Sequence, residues 1–469
     1  MRIEHDFLGE LEIPAEAYYG VQTQRAMQNF QITGHKLDKE FIVALAIVKK
    51  AAAKANMKTG RMPTLIGSAV VQAAAEIIDG KWHDQFVVDC IQGGAGTSMN
   101  MNANEVIANR AIELLGGKKG DYSLVSPNNH VNMAQSTNDV IPTAIRIASI
   151  KKANRLFHEI NSLVEVIVAK AEQYGRVLKM GRTHLQDAVP ITLGQELAAY
   201  AAGIKRSARR VERARQSLYA INMGATAVGT GLNAEPEYIE EVVHQICWLT
   251  DEAFVSANNL VDATQNTDDL AEFSSALKIC ALSLSKICND LRLMASGPRC
   301  GFNEVILPAM QPGSSIMPAK INPVIAEMVN QVAFQVIGND HVISLAVEAG
   351  QFELNVMEPV MAYNLFNSLN ILTNAIHTLN HRCFAGIEAN ACHCQQLVDG
   401  SLGVVTALLP HIGYEEASNV AKEALETSRT IKEIVVERGL IPAERLEVIL
   451  SPTEMTRPGI AGKQYLLTT

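Results

Sequence analysis

Four segments of this 469-residue chain gather hydroxyl and amide side chains while holding almost no carboxylate. They read GGAGTSMNMNAN (Gly93 to Asn104), NMAQSTND (Asn132 to Asp139), MGRTHLQDAVP (Met180 to Pro190) and GSSIMPAKIN (Gly313 to Asn322). Between them they supply Thr97, Ser136, Thr137, Asn138, Thr183, His184, Ser314, Ser315, Lys320 and Asn322. If the segments converge, they form a pocket of hydroxyls, amides, one imidazole and one ammonium. That inventory is dominated by hydrogen-bond donors and suits a small ligand carrying several negative charges. Judged by residue type alone, His184 is the candidate base, because its ordinary pKa matches proton transfer near neutrality.

Each segment also has a plainer explanation. The glycines of GGAGTS lack the Lys-Ser/Thr ending of a phosphate loop and the spacing of a dinucleotide fingerprint, so a tight turn before a helix explains them equally well. QSTND reads as a helix cap. His184 alone fits a satisfied structural histidine, and Lys320 alone fits an exposed surface lysine. Ala295-Ser296-Gly297 has the composition of a self-cyclising electrophile, but it ends a helical stripe directly before Pro298, and a helix C-terminus accounts for it. The case for chemistry rests on four polar segments in a chain otherwise made of stripes.

Those stripes are what must position the polar segments. Leu197, Ile204, Val211 and Leu218 recur every seven residues, with Tyr200, Ala214 and Ile221 as companions. Leu277, Ala281, Leu284, Cys288 and Leu291 step by fours and threes, and Leu365, Leu369, Leu372, Ile376 and Leu379 repeat the rhythm. One apolar stripe per helix is the pattern of long helices packed nearly parallel. Asn322-Pro323 reads as the N-cap and first turn of the helix that follows. The Ser314 loop therefore runs into a helix mouth, with its partial positive charge. Composition divides the chain into a mixed, mostly helical N-terminal part (1–138), a central part of long helices (139–391) and a small C-terminal helical part (392–469).

Bulk composition removes several function classes. Lysine and arginine number 40 against 49 acidic residues, for a net charge of −9, and no basic run calls for nucleic acid or an anionic membrane. The most basic stretch, IKRSARRVERAR (Ile204 to Arg215), spaces its charges between apolar residues as a solvated helix face does. The acidic start, MRIEHDFLGELEIP, has no apolar signal-peptide core, and no window is apolar enough to span a bilayer. The eight cysteines lie mostly in apolar runs, as reduced core residues do. Cys392, His393 and Cys394 lack a second ligand pair at zinc spacing. A cytoplasmic protein with no required cofactor and no protein metal cage is expected, with activation by a divalent cation at a second site left open.

The segments also carry a resemblance. GSSIMPAKINP, with Gly313, Ser314, Met317, Lys320 and Asn322 in place, is similar to the signature of the aspartase/fumarase superfamily. KMGRTHLQDAVP, QSTND, GGAGTSMNMNANE and GATAVGTGLN resemble its other blocks, in its order, and the likeness runs from YYGVQT (Tyr18 to Thr23) to RPGIAG (Arg457 to Gly462). The resemblance implies a mainly α, three-domain fold whose central long helices build a twenty-helix core in a homotetramer, with active sites shared by three subunits. Such sharing would unite loops far apart in sequence.

The activity implied is reversible deamination of L-aspartate to fumarate and ammonia, by removal of the Cβ proton through an enediolate (aci-carboxylate) intermediate. The resemblance puts Thr97, Ser136, Thr137 and Ser315 around the β-carboxylate, and Thr183, Lys320 and Asn322 at the α-carboxylate. Asn138 and His184 would hold the amino group, with Thr97 a candidate for sharing that task. It gives the base to Ser314, on a loop that closes over substrate, in place of His184. KMGRTH, INMGATAVG and KINPVIAEMVNQV lean toward the ammonia-releasing branch. The rivals are a fumarate hydratase and a non-catalytic scaffold on the same fold. Three departures stand out: Ala134 where serine is common, Val140-Ile141 for an Ala-aromatic pair, and Ala319 where many relatives have glycine.

Overall fold

The computed structural model describes residues 1–466. Strands β1 (Arg2–Asp6) and β2 (Gly9–Ile13) pair antiparallel with Arg2 opposite Ile13. Helices α1 (Val21–Asn29), α2 (Lys39–Lys58), α3 (Thr64–Ile78) and α4 (Thr97–Leu114) follow, then the 37-residue α5 (Thr137–Gln173). An antiparallel hairpin of β3 (Leu178–Thr183) and β4 (Gln186–Thr192) leads into α6 (Leu193–Arg215). Next come β5 (Ala220–Ile221), α7 (Pro236–Thr250), β6 (Val255–Ser256), which pairs parallel with β5, and the short α8 (Asp262–Gln265). The remaining long helices are α9 (Asp268–Met294), α10 (Val324–Glu348) and α11 (Glu358–Arg382). Between α9 and α10 lies β7 (Val305–Ile306), which pairs antiparallel with β8 (Glu388–Ala389), and shorter helices fill residues 391–455.

The chain divides into two compact units, each drawn from three stretches. The first comprises Met1–Phe157, Ala208–Ala281 and Phe334–Thr373, and the second His158–Ser207, Leu282–Ala333 and Asn374–Thr469. The architecture is mainly α, as the sequence stripes predict, and the strands are confined to four two-stranded pairs among the described residues. The stripes themselves are core. Leu197, Ile204, Val211, Leu277, Leu284, Leu291, Leu365, Leu372 and Leu379 are all buried. The seven-residue rhythm outlasts its helix, however. α6 ends at Arg215, Leu218 sits in a 3-10 turn and Ile221 in β5, and both remain buried.

In the first unit α2 is buried along most of its length, against α3 and α7. Helix α4 carries an unusual load of buried polar groups, Asn100, Asn102, Asn104, Glu105 and Asn109, each with a local task. Asn102 accepts from Val87 N–H and donates to Gln85 C=O, and Asn109 donates to Tyr18 C=O and accepts from Gly120 N–H. Glu105 caps a helix it does not belong to. Helix α1 has no side-chain cap of its own, and the N–H groups of Gly20, Gln22 and Thr23 donate to the Glu105 carboxylate at 2.8 to 3.1 Å. This requires close approach: a Cβ at Gly20 would lie 2.5 Å from both Glu4 Oε2 and the Tyr122 hydroxyl. Glycine is therefore demanded by space.

In the second unit the residues after 391 form a satellite core. Leu178 and Met180 of β3 pack there with Val398, Leu408, Ile434, Leu446 and Ile449. A hairpin this short is marginal alone, and this packing anchors its base. Among the described residues no helix is long and apolar enough to cross a membrane.

Burial pushes the Glu105 carboxyl up from its ordinary 4.5 to about 7, although the N–H donors of Thr23, Gln22 and Gly20 pull the other way. Between those values the folded chain holds a proton that the unfolded chain releases, so this group's contribution falls as pH rises through that window. We predict that Glu105→Gln removes that part of the slope. The variant should gain stability relative to wild type on going from pH 4.5 to pH 7, by an amount on the order of 3 kcal/mol. Paired unfolding curves at both ends of the window check this, and parallel pH profiles would count against it.

Candidate active site

Four of the ten expected site residues belong to the first unit: Thr97, Ser136, Thr137 and Asn138. Thr97 opens α4 after a left-handed run, Gly94, Ala95 and Gly96, with φ of +88°, +57° and +88°. Its hydroxyl donates to Gly94 C=O at 2.8 Å, and the residue is exposed. The glycine segment is thus a tight turn into a helix N-terminus, where Thr97 N–H donates to Gly94 C=O at 2.9 Å and Met99 N–H to Gln92 Oε1 at 3.2 Å.

Ser136 is the cap of α5. Its hydroxyl accepts from Asn138 N–H at 3.2 Å, and its own N–H donates to Asp139 Oδ1 at 2.9 Å. The plainer reading of QSTND therefore holds, and it also fixes where Thr137 and Asn138 sit. Thr137 Oγ1 accepts from Asn100 Nδ2 of α4 at 3.3 Å. Asn138 donates its amide to Ala227 C=O at 2.7 Å, so part of its polar capacity is already spent on the GATAVG loop.

Pro142 explains a further tie to that loop. Inside α5 it has no N–H to give to the carbonyl four residues back, that of Asn138. Asn222 Nδ2 donates to Asn138 C=O at 3.0 Å and supplies the missing bond. Asp139 completes the junction, since its Oδ2 accepts from Gly224 N–H (3.2 Å) and Thr226 N–H (3.1 Å). Beneath lies Lys49 of α2, fully buried, donating to Asn132 Oδ1 and Gln135 Oε1 at 2.9 Å each. Asn132 Oδ1 also accepts from Asn100 and Asn104. Burial pushes Asp139 up to about 7, with its N–H donors and Lys49 opposing, and burial brings Lys49 down to about 7, with Asp139 opposing.

The other six residues, Thr183, His184, Ser314, Ser315, Lys320 and Asn322, belong to the second unit. Thr183 pairs with Gln186, which leaves His184 and Leu185 as a two-residue turn with φ of +55° and +60°. That is the type I′ hairpin geometry, which favours Asn-Gly and strains a His-Leu pair. The turn is exposed, so the imidazole stands at a hairpin tip and not in a core.

The Ser314 loop is closed at its neck. Gly313 N–H donates to Lys320 C=O at 2.7 Å, and Asn322 Nδ2 donates to Gly313 C=O at 2.7 Å. The Asn322 amide thus turns back into the loop instead of capping the helix as its sequence position suggested, and α10 begins at Val324, with Pro323 C=O accepting from Glu327 N–H. A Cβ at Gly313 would lie 2.5 Å from Lys320 O, so the neck admits only glycine. Ser314 Oγ, half-buried, accepts from Ile316 N–H at 3.2 Å and Met317 N–H at 3.0 Å. Ala319 has φ +64°, a left-handed backbone that glycine adopts more readily than alanine, which places a small strain in the loop. Ser315 and Lys320 are exposed, and no carboxylate among the described residues pairs with Lys320 within 4.0 Å. Lys320 and Asn322 also line a cleft of about 850 Å³ with Arg292, Ser296, Asn303 and Glu327. No hydrogen bond joins the hairpin tip to this loop among the described residues.

What sets both segments of the second unit is a residue that sequence reasoning missed. Glu304, wholly buried, lies 2.7 Å from Arg182 Nη1 and 3.3 Å from Lys179 Nζ, both on β3. Its own N–H donates to Met294 C=O at the end of α9, and its C=O accepts from Asn390 N–H. Strand β7, which leads to the Ser314 loop, starts at the next residue. The available signal was a lone carboxylate in CGFNEVILP and two cations in KMGR, but nothing in the sequence says that they meet.

Comparison with known proteins agrees with this architecture. Residues 9–338 match the family described as Lyase, and residues 404–457 match the Fumarase C C-terminus. The chain is 58% identical to the aspartate ammonia-lyase of Bacillus subtilis, over 99% of this chain and 98% of that one. It is 51% identical to the Helicobacter pylori aspartate ammonia-lyase, over 98% of each. Among solved structures, a Brucella melitensis fumarate lyase:delta crystallin bound to cobalt superposes with a TM-score of 0.95 at 47% identity, over 97% of this chain and 100% of that one. A class II fumarase from Schistosoma mansoni superposes with a TM-score of 0.93 at 35% identity, over 97% and 99%.

Removing Glu304 would take the carboxylate from the Arg182 guanidinium and leave the buried Lys179 ammonium with Glu196 as its remaining acidic partner. Glu304→Ala should therefore cost about 3–5 kcal/mol of stability, with Glu304→Gln falling between it and wild type. Calorimetric melting of the three proteins tests this, and an Ala variant that melts like wild type would mean that the ion cluster does not hold the hairpin.

Proposed function

The chain belongs to the aspartase/fumarase superfamily of lyases, and on that premise we infer that it deaminates L-aspartate reversibly to fumarate and ammonia. It is a carbon–nitrogen lyase in this reading. The observation that carries it is full-length identity of 47–58% to proteins named aspartate ammonia-lyase, against 35% to the fumarase. The hydratase alternative is the weaker for that reason. A scaffold would have no use for Thr97, His184, Ser314 and Lys320 together.

We propose Ser314 as the base. In the reaction its oxygen takes the Cβ proton, and the C–H electron pair moves into the neighbouring carboxylate as the aci-carboxylate forms. That pair then makes the C=C bond as the C–N bond breaks, and the substrate's ammonium group leaves as ammonia. Two negative charges on one carboxyl group require donors fixed in advance. Thr97, Ser136, Thr137 and Ser315 are proposed for that carboxylate, Thr183, Lys320 and Asn322 for the other, and Asn138 and His184 for the amino group, with Thr97 in reach of that task too.

A serine alkoxide is costly, and the loop geometry supports the assignment by showing what would lower the cost. The two N–H groups aimed at Ser314 Oγ favour its anionic form, and the Lys320 ammonium, on the same loop, would add to this if closure brought it near. Exclusion of water alone opposes the charge but strengthens both attractions. Ile316 is 84% exposed and Met317 48%. Closing the loop would bury them, at roughly 1.5–3 kcal/mol for each side chain fully buried, enough to favour closure over substrate.

The reading includes a homotetramer whose active sites draw on three subunits. Supporting it, α10 carries a second apolar face, with Phe334, Val342 and Leu345 exposed at 65%, 36% and 57%. An apolar row opposite a buried stripe asks for another helix. A cytoplasmic enzyme that works without a cofactor completes the proposal, since each step uses only this chain's own donors.

Purified protein mixed with L-aspartate should produce the ultraviolet absorbance of fumarate, while L-malate in a parallel cell should not. Fumarate from malate alone would make this a hydratase. Ser314→Ala should lower kcat by at least about a thousandfold, with KM and tetramer retained. A near-normal kcat in that variant would return the base to His184.

A further inference from the structure

Outside the machinery just described, three side chains form a constellation that no step of the reaction uses. His377 and His381 lie four residues apart on the last turns of α11, and Glu159 faces them from α5. All three belong to the second unit. One ligand atom from each lies within 4.8 Å of the others, and His377 Nδ1 is already 3.1 Å from Glu159 Oε2. The two imidazole rings sit 4.4 Å apart, centre to centre. We propose that these residues form a site for a borderline-soft divalent transition ion of the Zn²⁺ class, clamping α5 to α11.

The chemistry of the donor set selects the class. Two imidazoles and one carboxylate suit Zn²⁺, Co²⁺ or Ni²⁺, whereas Mg²⁺ and Ca²⁺ want oxygen alone. Histidines at i and i+4 share one helix face, so both can reach a common ion. In a tetrahedral site with bonds of about 2 Å, ligand atoms stand roughly 3.4 Å apart. Glu159 and His377 are near that spacing already, and side-chain rotation of His381 closes the rest. The fourth position would be left to water, as in sites with three protein ligands.

Preorganisation is what separates this cluster from an idle surface histidine pair. Asn380 Nδ2 donates to Ser162 Oγ at 2.9 Å, and Asn380 is fully buried. Ser162 follows Glu159 by three residues and Asn380 follows His377 by three, so one fixed bond sets the register of both ligand pairs. The helix backbone under the site is thus held before an ion arrives. The C-terminal end of α11, with its partial negative charge, lies beside His381 and favours a cation there.

The test uses the full-length enzyme, stripped with a chelator and titrated with Co²⁺ as a visible probe. The expected result is one Co²⁺ per chain, with the d–d bands of a four- or five-coordinate nitrogen/oxygen site, displaced by stoichiometric Zn²⁺ and not by excess Mg²⁺. His377→Ala and His381→Ala should each weaken binding at least about tenfold, and Glu159→Gln should weaken it too, while turnover of L-aspartate stays at the wild-type level. Zn²⁺ should raise the melting temperature of wild type and leave that of the double histidine variant unchanged. His381 is exposed, so His381→Ala keeps the test decisive even if replacing His377 disturbs its contact with Glu159. The proposal is overturned if Co²⁺ does not bind or if binding survives in the histidine variants. It fails equally if the spectrum shows the intense near-ultraviolet band of thiolate ligation from the exposed Cys300 or Cys392, or if Mg²⁺ competes on equal terms.

Discussion

Asp139 is the group on which the polar half of the first unit depends. One buried carboxylate takes the N–H groups of Ser136, Gly224 and Thr226, and so ties the first turn of α5 to a loop more than eighty residues on. Burying a carboxylate is expensive unless its lone pairs are filled and a positive charge is near. Three backbone donors do the first, and Lys49, itself held by Asn132 and Gln135, does the second. Without that carboxylate those backbone donors lose their shared acceptor, and Thr137 and Asn138 lose the frame that sets their positions.

The second unit repeats the arrangement with different parts. Glu304 is the buried anion, Lys179 and Arg182 are the cations, and the supported elements are the His184 hairpin and the strand leading to Ser314. In each unit the buried carboxylate holds backbone or basic groups in place beside a segment rich in hydroxyls and amides.

The long helices pose a separate constraint. Their heptad stripes fill the core, yet α10 also turns Phe334, Val342 and Leu345 outward. Polar groups inside such helices need partners, and these are found at the points where regular hydrogen bonding fails. Pro142 leaves Asn138 C=O without its helical donor and Asn222 supplies one. Helix α1 has no cap of its own and Glu105 supplies one. Both repairs reach across the sequence, and both lie next to segments singled out for their chemistry.

Much of this was legible in the residues. The stripes of Leu277 to Leu291 and Leu365 to Leu379 read as buried helix faces, because period is a local property that packing only has to accept. The capping role of Ser136, the start of α10 after Pro323 and the polar segments as a set were legible for the same local reason. Tertiary structure alone decided the rest. His184 and Leu185 do not advertise a hairpin turn, and only the pairing of Thr183 with Gln186 forces their left-handed backbone. The lysines of α2 look alike among alanines, yet Lys49 is buried and its neighbour Lys50 is not, because only one points toward Asn132. Glu304 meets Arg182 across 122 residues of chain. A sequence records which charges exist, and the cost of taking them out of water is set by partners that folding brings from elsewhere.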